Sequence, residues 1–460
     1  MAANTRDLTE GPIWRALSAV SAPMALGIFA VLSVGIADAY FLGRIGATEL
    51  ASVGFIYPVT AAITSLAIGL SAGANAALSQ SIGRDDDAQD TNRLALHTLA
   101  LGTGLGIVVA LLVLVLHPYL FALMGAGPEV QAAIAQYIPW WALSFPFLVL
   151  MMTINATFRA HGDGARSAII MVISAAVNVA LDPILIFGWG PIPAMEVAGA
   201  AQATAFARIA ATGIAIGWAL RSGIIRTCGN LGTGFAGSAR SILKVGFPAA
   251  FSNAINPAGM AAVTAAVATL GETAVAGFGA ATRVQSLALV PLLALSSGIG
   301  PVVGQNWGAK RQDRARGAVW LSWGVCLAYG AAAAAVLTLF GGWIASAIAS
   351  DADAARFTEQ YLRIVGWSLF GYGILVTGNA AMNARSKALW STGLSLTRIF
   401  VVYLPLAWIG VAMFGFAGIL VAAVLANLYA AWGAMVAGRA TGLLATDAAP
   451  VRAPAELIGK

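Results

Sequence analysis

The sequence predicts an all-α membrane protein: twelve transmembrane helices built as two parallel six-helix repeats. Three observations predict it. Hydrophobic residues make up 59% of the 460 and charged residues only 10%, against about 25% charged in a soluble domain. Twelve apolar stretches are long enough to cross a bilayer, which takes about 20 residues. The chain also repeats itself. Shifted by 225 positions, Pro23 falls on Pro248, Gly46 on Gly271, Ser71 on Ser296, Gly73 on Gly298, Gln80 on Gln305 and Gly83 on Gly308. After a slip of one, Tyr137 pairs with Tyr361, Ser144 with Ser368 and Asn155 with Asn379. A duplicated membrane bundle is the usual plan of a secondary transporter, with cargo handled between the halves.

The first six spans are expected near 14–42, 51–78, 94–117, 136–158, 166–188 and 196–220. The second six are expected near 241–268, 274–303, 318–340, 360–383, 388–413 and 415–438. Turn chemistry separates them, as in Gly125-Ala126-Gly127-Pro128 and Gly188-Trp189-Gly190-Pro191. The longest polar break, Arg221 to Arg240, falls between the halves. The expected organisation is an N-terminal lobe (1–222), a linker (223–240), a C-terminal lobe (241–440) and a tail (441–460). Abundant Gly and Ala suit close helix packing in lipid, and Gly69-xxx-Gly73 and Gly213-xxx-Gly217 read this way. So does Gly102-x-Gly-x-Gly106, which lies within a span with no strand before it, unlike a nucleotide-binding turn. Cys228 sits in a polar loop and Cys326 in an apolar span, so no structural disulfide is expected. The polar stretch from Met1 to Gly11 runs directly into a full-length span, and no cleaved leader is expected.

Basic residues set the expected orientation. With the N-terminus inside, inner segments collect 19 of the 25 Lys and Arg. The outer loops hold Arg44, Arg356 and Arg363, and the spans hold Arg208, Arg283 and Arg398. The net charge of +6 is thereby explained as topology, and no nucleic-acid partner is expected. Six spans per half return the chain to the same side, so the repeats must be parallel.

Of 19 acidic residues, only Asp38 in the first span and Asp182 in the fifth sit well inside an apolar run. Each costs about 2.5–3.5 kcal/mol at the centre of a span. Both spans run outward and both residues fall in the outer half, so they can share a depth. Asn178 is four residues before Asp182, on the same helix face. Pro183 follows, and its missing N–H frees a carbonyl oxygen nearby. The result is a small oxygen-rich site in the N-terminal half. The second half lacks it: the register puts Val263 opposite Asp38. Arg208, Arg283 and Arg398 either line a cavity or bond to carbonyls. His97, His117 and His161 lie at span ends or in a loop without metal-ligand spacing, and Asp85-Asp86-Asp87 reads as a solvated loop.

As a set, several stretches resemble the multidrug and toxic compound extrusion (MATE) transporters over about residues 14 to 440. They are Ala37-Asp38-Ala39-Tyr40-Phe41-Leu42-Gly43, Gly73 to Gly83, Asn178 to Gly188, Val197 to Thr204, Thr282-Arg283-Val284 and Gly304-Gln305-Asn306-Trp307-Gly308-Ala309. The resemblance implies a V-shaped pair of bundles that alternate access by rocking. It implies export of cationic or amphipathic small molecules in exchange for H⁺ or Na⁺, with no cofactor and no enzymatic activity. The Asp182-Pro183 pair looks like the DinF-type branch. Carried over, its coupling site, which would also take Na⁺, is Asp38, Asn178, Asp182 and Thr204. Asn155, Arg283 and Arg398 are the weaker expectations for the substrate cavity. The chain is expected to work as a monomer in a bacterial cytoplasmic (inner) membrane, with both termini cytoplasmic.

The chain departs from the branch that keeps acids in the seventh and tenth spans, which puts a C-lobe Na⁺ site in doubt. The rival reading is a lipid-linked oligosaccharide flippase of the same superfamily, which would need a cationic cavity for a diphosphate. An intramembrane enzyme is disfavoured because no span carries a paired His/Glu motif or a Ser/Lys or Ser/His dyad. A passive channel fits the two-lobed repeat poorly. The basic linker makes a topological prediction. Cys228 should react with a membrane-permeant maleimide, and with an impermeant one only from the cytoplasmic side. Labelling from outside intact cells would reverse the orientation.

Overall fold

The computed structural model describes residues 7–226, 232–349 and 351–444. Cys228 and residues 445–460 of the expected tail lie outside the described residues. The first half is six helices: α1 Ile13–Leu42, α2 Ala47–Gly83, α3 Ala88–Leu123, α4 Pro128–Ala160, α5 Gly164–Phe187 and α6 Glu196–Arg221. The second half opens with α7 Phe235–Ala268. Its next span is α8 Glu272–Ala288 and α9 Val290–Gly308, bent by 43° where Pro291 interrupts the hydrogen-bond ladder. α10 Gln312–Ile348 follows. α11 Ala352–Val365 passes through a 3₁₀ turn into α12 Leu369–Ala384, and α13 Ala388–Leu396 passes through a π-helical segment, Thr397–Tyr403, into α14 Leu404–Phe414. α15 Phe416–Ala440 completes the set.

Among the described residues ten spans are long and apolar enough to cross a membrane, and the bent α8–α9 pair makes eleven. The twelfth is α7. Its 34 residues would reach about 51 Å at 1.5 Å per residue, but Lys244, Asn253 and Asn256 dilute its apolar run. Asn253 returns its amide to the Ala249 carbonyl, which makes it affordable in lipid. α7 also starts inside the expected linker. Gly234, at φ +77°, makes the turn that begins it, and Ser238 of this polar extension pairs with His97 of α3 at 2.8 Å. Outward faces are apolar, as Leu111, Val115 and Leu123 of α3 and Leu339 of α10 illustrate. Lipid takes the place that water has around a soluble fold.

The halves meet along α2 with α7 and α1 with α9, and the repeat relates the two contacts. Gly73 of α2 lies on the Ile242 carbonyl of α7, and Gly298 of α9 lies on Leu17 and Ser21 of α1. The 225 shift turns Gly73 into Gly298 and Leu17 into Ile242. A Cβ at either glycine would collide with the facing helix. At the end of the bundle that carries the linker, the exchange becomes a pair of hydrogen bonds. Gln305 donates to the carbonyl of Ala160, the last residue of α4, at 2.7 Å. Gln80 donates to the carbonyl of Ala384, the last residue of α12. Helix-end carbonyls have no partner within their own helix, so each half caps a helix of the other.

The segment before α1 straps the same seam. Its Leu8 N–H donates to Gln305 Oε1 at 3.1 Å, and Asn306 donates to the Leu8 carbonyl at 3.0 Å. Arg314 donates to the carbonyls of Gly11 and Glu10 at 2.6 and 2.7 Å. Removing one partner of such a bond leaves a carbonyl short of a donor, at about 1–3 kcal/mol. Gln80→Ala with Gln305→Ala should therefore shift the protein toward opening at this end. Double electron–electron resonance between labels at Asp86→Cys and Lys310→Cys, in a background lacking Cys228 and Cys326, should show a longer-distance population growing at least about fivefold. An unchanged distance distribution would mean that the glutamines do not hold the seam.

Candidate functional site

Packing of α1 on α5 sets the site. The two spans run the same way and touch where Gly164 meets Val20 and Gly27 meets Ala168. Carried along both helices, that register puts Asp38 level with residues 179–182. Asp182 is 0% exposed, Asp38 is partly buried, and their carboxyls face each other closely enough to share a hydrogen bond. With both ionised, neither has a proton to donate. Asp38 Oδ1 and both Asp182 oxygens then have no donor.

The neighbouring groups add more acceptors. Asn178 is 3% exposed and donates its amide to Thr204 Oγ1 of α6 at 3.2 Å, which leaves Asn178 Oδ1 without a donor. α6 reaches α5 closely because Gly199 packs on the Leu185 carbonyl. Pro183 lies within α5 and has no N–H for the carbonyl of Val179, one turn back. Four buried side-chain oxygens therefore converge with no hydrogen to accept. A proton or a hard cation with oxygen ligands satisfies such a set. Other acids are used differently: Asp87, Asp163 and Asp351 each accept a backbone N–H at the start of a helix, a capping role.

Two further residues join the site that the spacing of the acids did not indicate. Tyr137 of α4 lies within electrostatic reach of Asp38, Asp182 and Arg208, and Arg208 of α6 within reach of Asp38. Arg208 is held by a 2.7 Å hydrogen bond to Ser144 Oγ and by the face of Trp141, 6.0 Å from the ring centre. The signals were present: Tyr137 and Ser144 are repeat-matched polar residues within a span, and Arg208 is a charge within one.

The structure separates the three weaker cavity expectations. Asn155 is buried in α4 with Oδ1 lacking a donor, but it sits 18 residues past Tyr137, about 27 Å along the helix toward the linker end. Arg283 is an exposed residue of α8. Arg398 is 8% exposed, on the π-helical segment of the second half, and donates to Asn427 Oδ1 at 3.0 Å. The three histidines gather no metal site, and no cluster of three metal-ligating side chains occurs among the described residues.

Comparison with known proteins follows the same architecture. The MatE family model matches the chain twice, over residues 23–184 and 248–409, two matches offset by the 225 positions of the internal repeat. The chain is 34% identical to a FAD transporter of Shewanella oneidensis, over 92% of this chain and 93% of that protein. It is 26% identical to the multidrug export protein MepA of Staphylococcus aureus, over 93% and 94%. Its fold matches a point mutant of the Vibrio cholerae MATE transporter VcmN with a TM-score of 0.89 at 26% identity, covering 93% of this chain and 98% of that one. It matches the outward-facing conformation of a multidrug resistance MATE family transporter equally well, with a TM-score of 0.89 at 25% identity over 96% and 99%. The chain therefore belongs to the MATE family of multi-pass membrane transporters, with their V-shaped twelve-span fold, and is not an enzyme.

Proposed function

We propose that the protein is a cation-coupled antiporter that exports small amphipathic compounds by alternating access. H⁺ or Na⁺ would be exchanged at Asp38, Asn178, Asp182 and Thr204. The observation that carries this reading is the convergence of four donor-less oxygens from Asp38, Asn178 and Asp182 inside one lobe. A second negative charge beside the first is costly in low dielectric, so the pair favours states in which it holds a cation. If one orientation of the lobes admits that cation and the other releases it, ion movement biases the conformational equilibrium. A cargo bound preferentially in the opposite state is then driven uphill. The same oxygens serve a proton by hydrogen bonding and Na⁺ by coordination, and Thr204 Oγ1 would add a ligand for the metal ion.

The relatives support transport of small compounds: one is named a FAD transporter and the other a multidrug export protein. FAD is an aromatic anion, so cargo of this chain need not be cationic. Amphipathic aromatic character is the property that both readings share. The flippase reading is the weaker one, because the acid pair recognises a cation and both relatives are named as transporters of small compounds. The charge pattern supports an orientation with both termini in the cytoplasm of a bacterial cell. The domain division proposed with this mechanism is a coupling lobe before the linker and a second lobe after it.

Asp38→Asn keeps the size and hydrogen-bonding capacity of the side chain but cannot carry charge or release a proton. Efflux driven by an imposed ΔpH or ΔNa⁺ in proteoliposomes should fall at least about tenfold. Thermal stability should hold or rise slightly, because a buried carboxylate is costly. Normal gradient-dependent efflux would sink the assignment of Asp38.

Asn178→Ala and Thr204→Ala should each reduce coupled efflux far more than Val263→Ala at the repeat-matched position of Asp38. Val263 is a fully buried core residue, and trimming it should cost about 1 kcal/mol of stability without changing the ion dependence. Equal, mild losses at all three positions would contradict a site confined to the first lobe.

A further inference from the structure

The second half places a buried cation near the repeat partners of two residues that neighbour the acid site. Tyr137 lies within electrostatic reach of the acid pair and Ser144 holds Arg208 beside it, and their repeat partners are Tyr361 and Ser368. In the second half these two stand around Arg398. Ser368 Oγ accepts from Asn427 Nδ2 at 2.9 Å, and Asn427 Oδ1 accepts from Arg398 at 3.0 Å. Tyr361 and Tyr403 lie within electrostatic reach of the guanidinium, and Tyr372 presents its ring face 5.2 Å from it. The π-helical segment carries both Arg398 and Tyr403, and such widened turns recur at functional sites.

The cation has no counter-ion. Among the described residues Arg398 forms no ion pair, and the acids of the second half stand near the ends of the spans, at Glu272, Asp313, Asp351, Asp353 and Glu359. A guanidinium carries five N–H donors in a planar fork. Here one makes a strong bond to Asn427, one reaches Asn256 Oδ1 at a long 3.5 Å, and Nε has no partner. A cation 92% buried with unused donors is costly unless an anion completes it. The planar fork suits a phosphate or carboxylate, and the adjacent rings suit an aromatic body.

We propose that Arg398, Asn256, Asn427 and Tyr372 form an anion-recognition subsite in the C-terminal lobe for the phosphate or carboxylate of an aromatic cargo. The proposal rests on the reading of the protein as an exporter of small amphipathic compounds, and adds cargo charge to it. Coupling cation and cargo anion then occupy opposite lobes. Neither competes directly for the other's ligands, so their linkage must pass through the relative position of the lobes.

The test uses two probes that share one ring system, riboflavin and its monophosphate FMN. Binding to purified full-length protein is followed by flavin fluorescence in detergent, with no ion gradient. The wild type should bind FMN about tenfold tighter than riboflavin, the scale of one charged hydrogen-bonded contact. Arg398→Gln should bring FMN down to the riboflavin level and leave riboflavin unchanged. Arg398→Lys, which keeps the charge without the fork, should retain part of the preference and guards against loss of folding in the first variant. Equal binding of the two probes, binding of neither, or an FMN preference that survives Arg398→Gln would overturn the proposal. Loss of FMN binding on adding phosphatidylglycerol to the micelles would make a lipid headgroup the occupant and overturn the cargo assignment. The same assay on Asp38→Asn separates the two readings. The FMN preference should persist there, and it would persist even if Asp38→Asn transported normally and the coupling site lay elsewhere.

Discussion

The molecule depends on how two bundles can be pressed together in lipid without leaving backbone oxygen unpaired. The seam answers with an exchange: Gln80 caps the last carbonyl of α12, and Gln305 caps the last carbonyl of α4. Glycines at the matching positions of α2 and α9 let the helices approach closely enough for the exchange to form. Each hydrogen bond contributes only about 0.5–1.5 kcal/mol net. These two bonds are therefore specific in geometry and modest in energy. A few kcal/mol of differential ligand binding is enough to bias a two-state element held by bonds of this size.

Duplication supplied the scaffold, and charge was distributed over it unequally. Repeat-matched Tyr137 and Tyr361, and Ser144 and Ser368, contribute to a polar cluster in each lobe. The first cluster holds Asp38 and Asp182 with Arg208 at its edge, and the second holds Arg398 with no acid among the described residues. Both are polar clusters with unsatisfied hydrogen-bonding capacity, of opposite kind: oxygens without donors in the first and the Arg398 Nε donor without an acceptor in the second. In a bilayer such groups are expensive wherever water cannot reach them. Their coexistence in one small protein makes a structural role for both less economical than a ligand role for each. Arg208 moderates the first cluster from its edge, where Ser144 and Trp141 hold it within reach of Asp38.

The sequence by itself determined the features that depend on one dimension. Span number follows from the length of apolar runs, parallel repeats from an even count of crossings, and the internal homology from a fixed offset that the family model reproduces. Asp38 and Asp182 were legible as candidates, because two carboxylates inside apolar runs are conspicuous whatever their surroundings. α7 was legible as a span but not in its start, because the helix continues past the apolar run on a polar extension held to α3.

Tertiary structure decided which distant residues share a neighbourhood. Tyr137 and Arg208 join Asp38 only because α1, α4, α5 and α6 pack at one register. Arg398 was visible as a charge within a span, yet its partners Asn427, Asn256 and Tyr372 lie on three other helices. The glutamines were visible as repeat-matched residues, but Gln80 finds its acceptor 304 positions away. Hydropathy and spacing report whether a side chain belongs in lipid or against protein. They carry no information on the rotation and axial offset between packed helices, and those two quantities set every contact between polar groups of different spans.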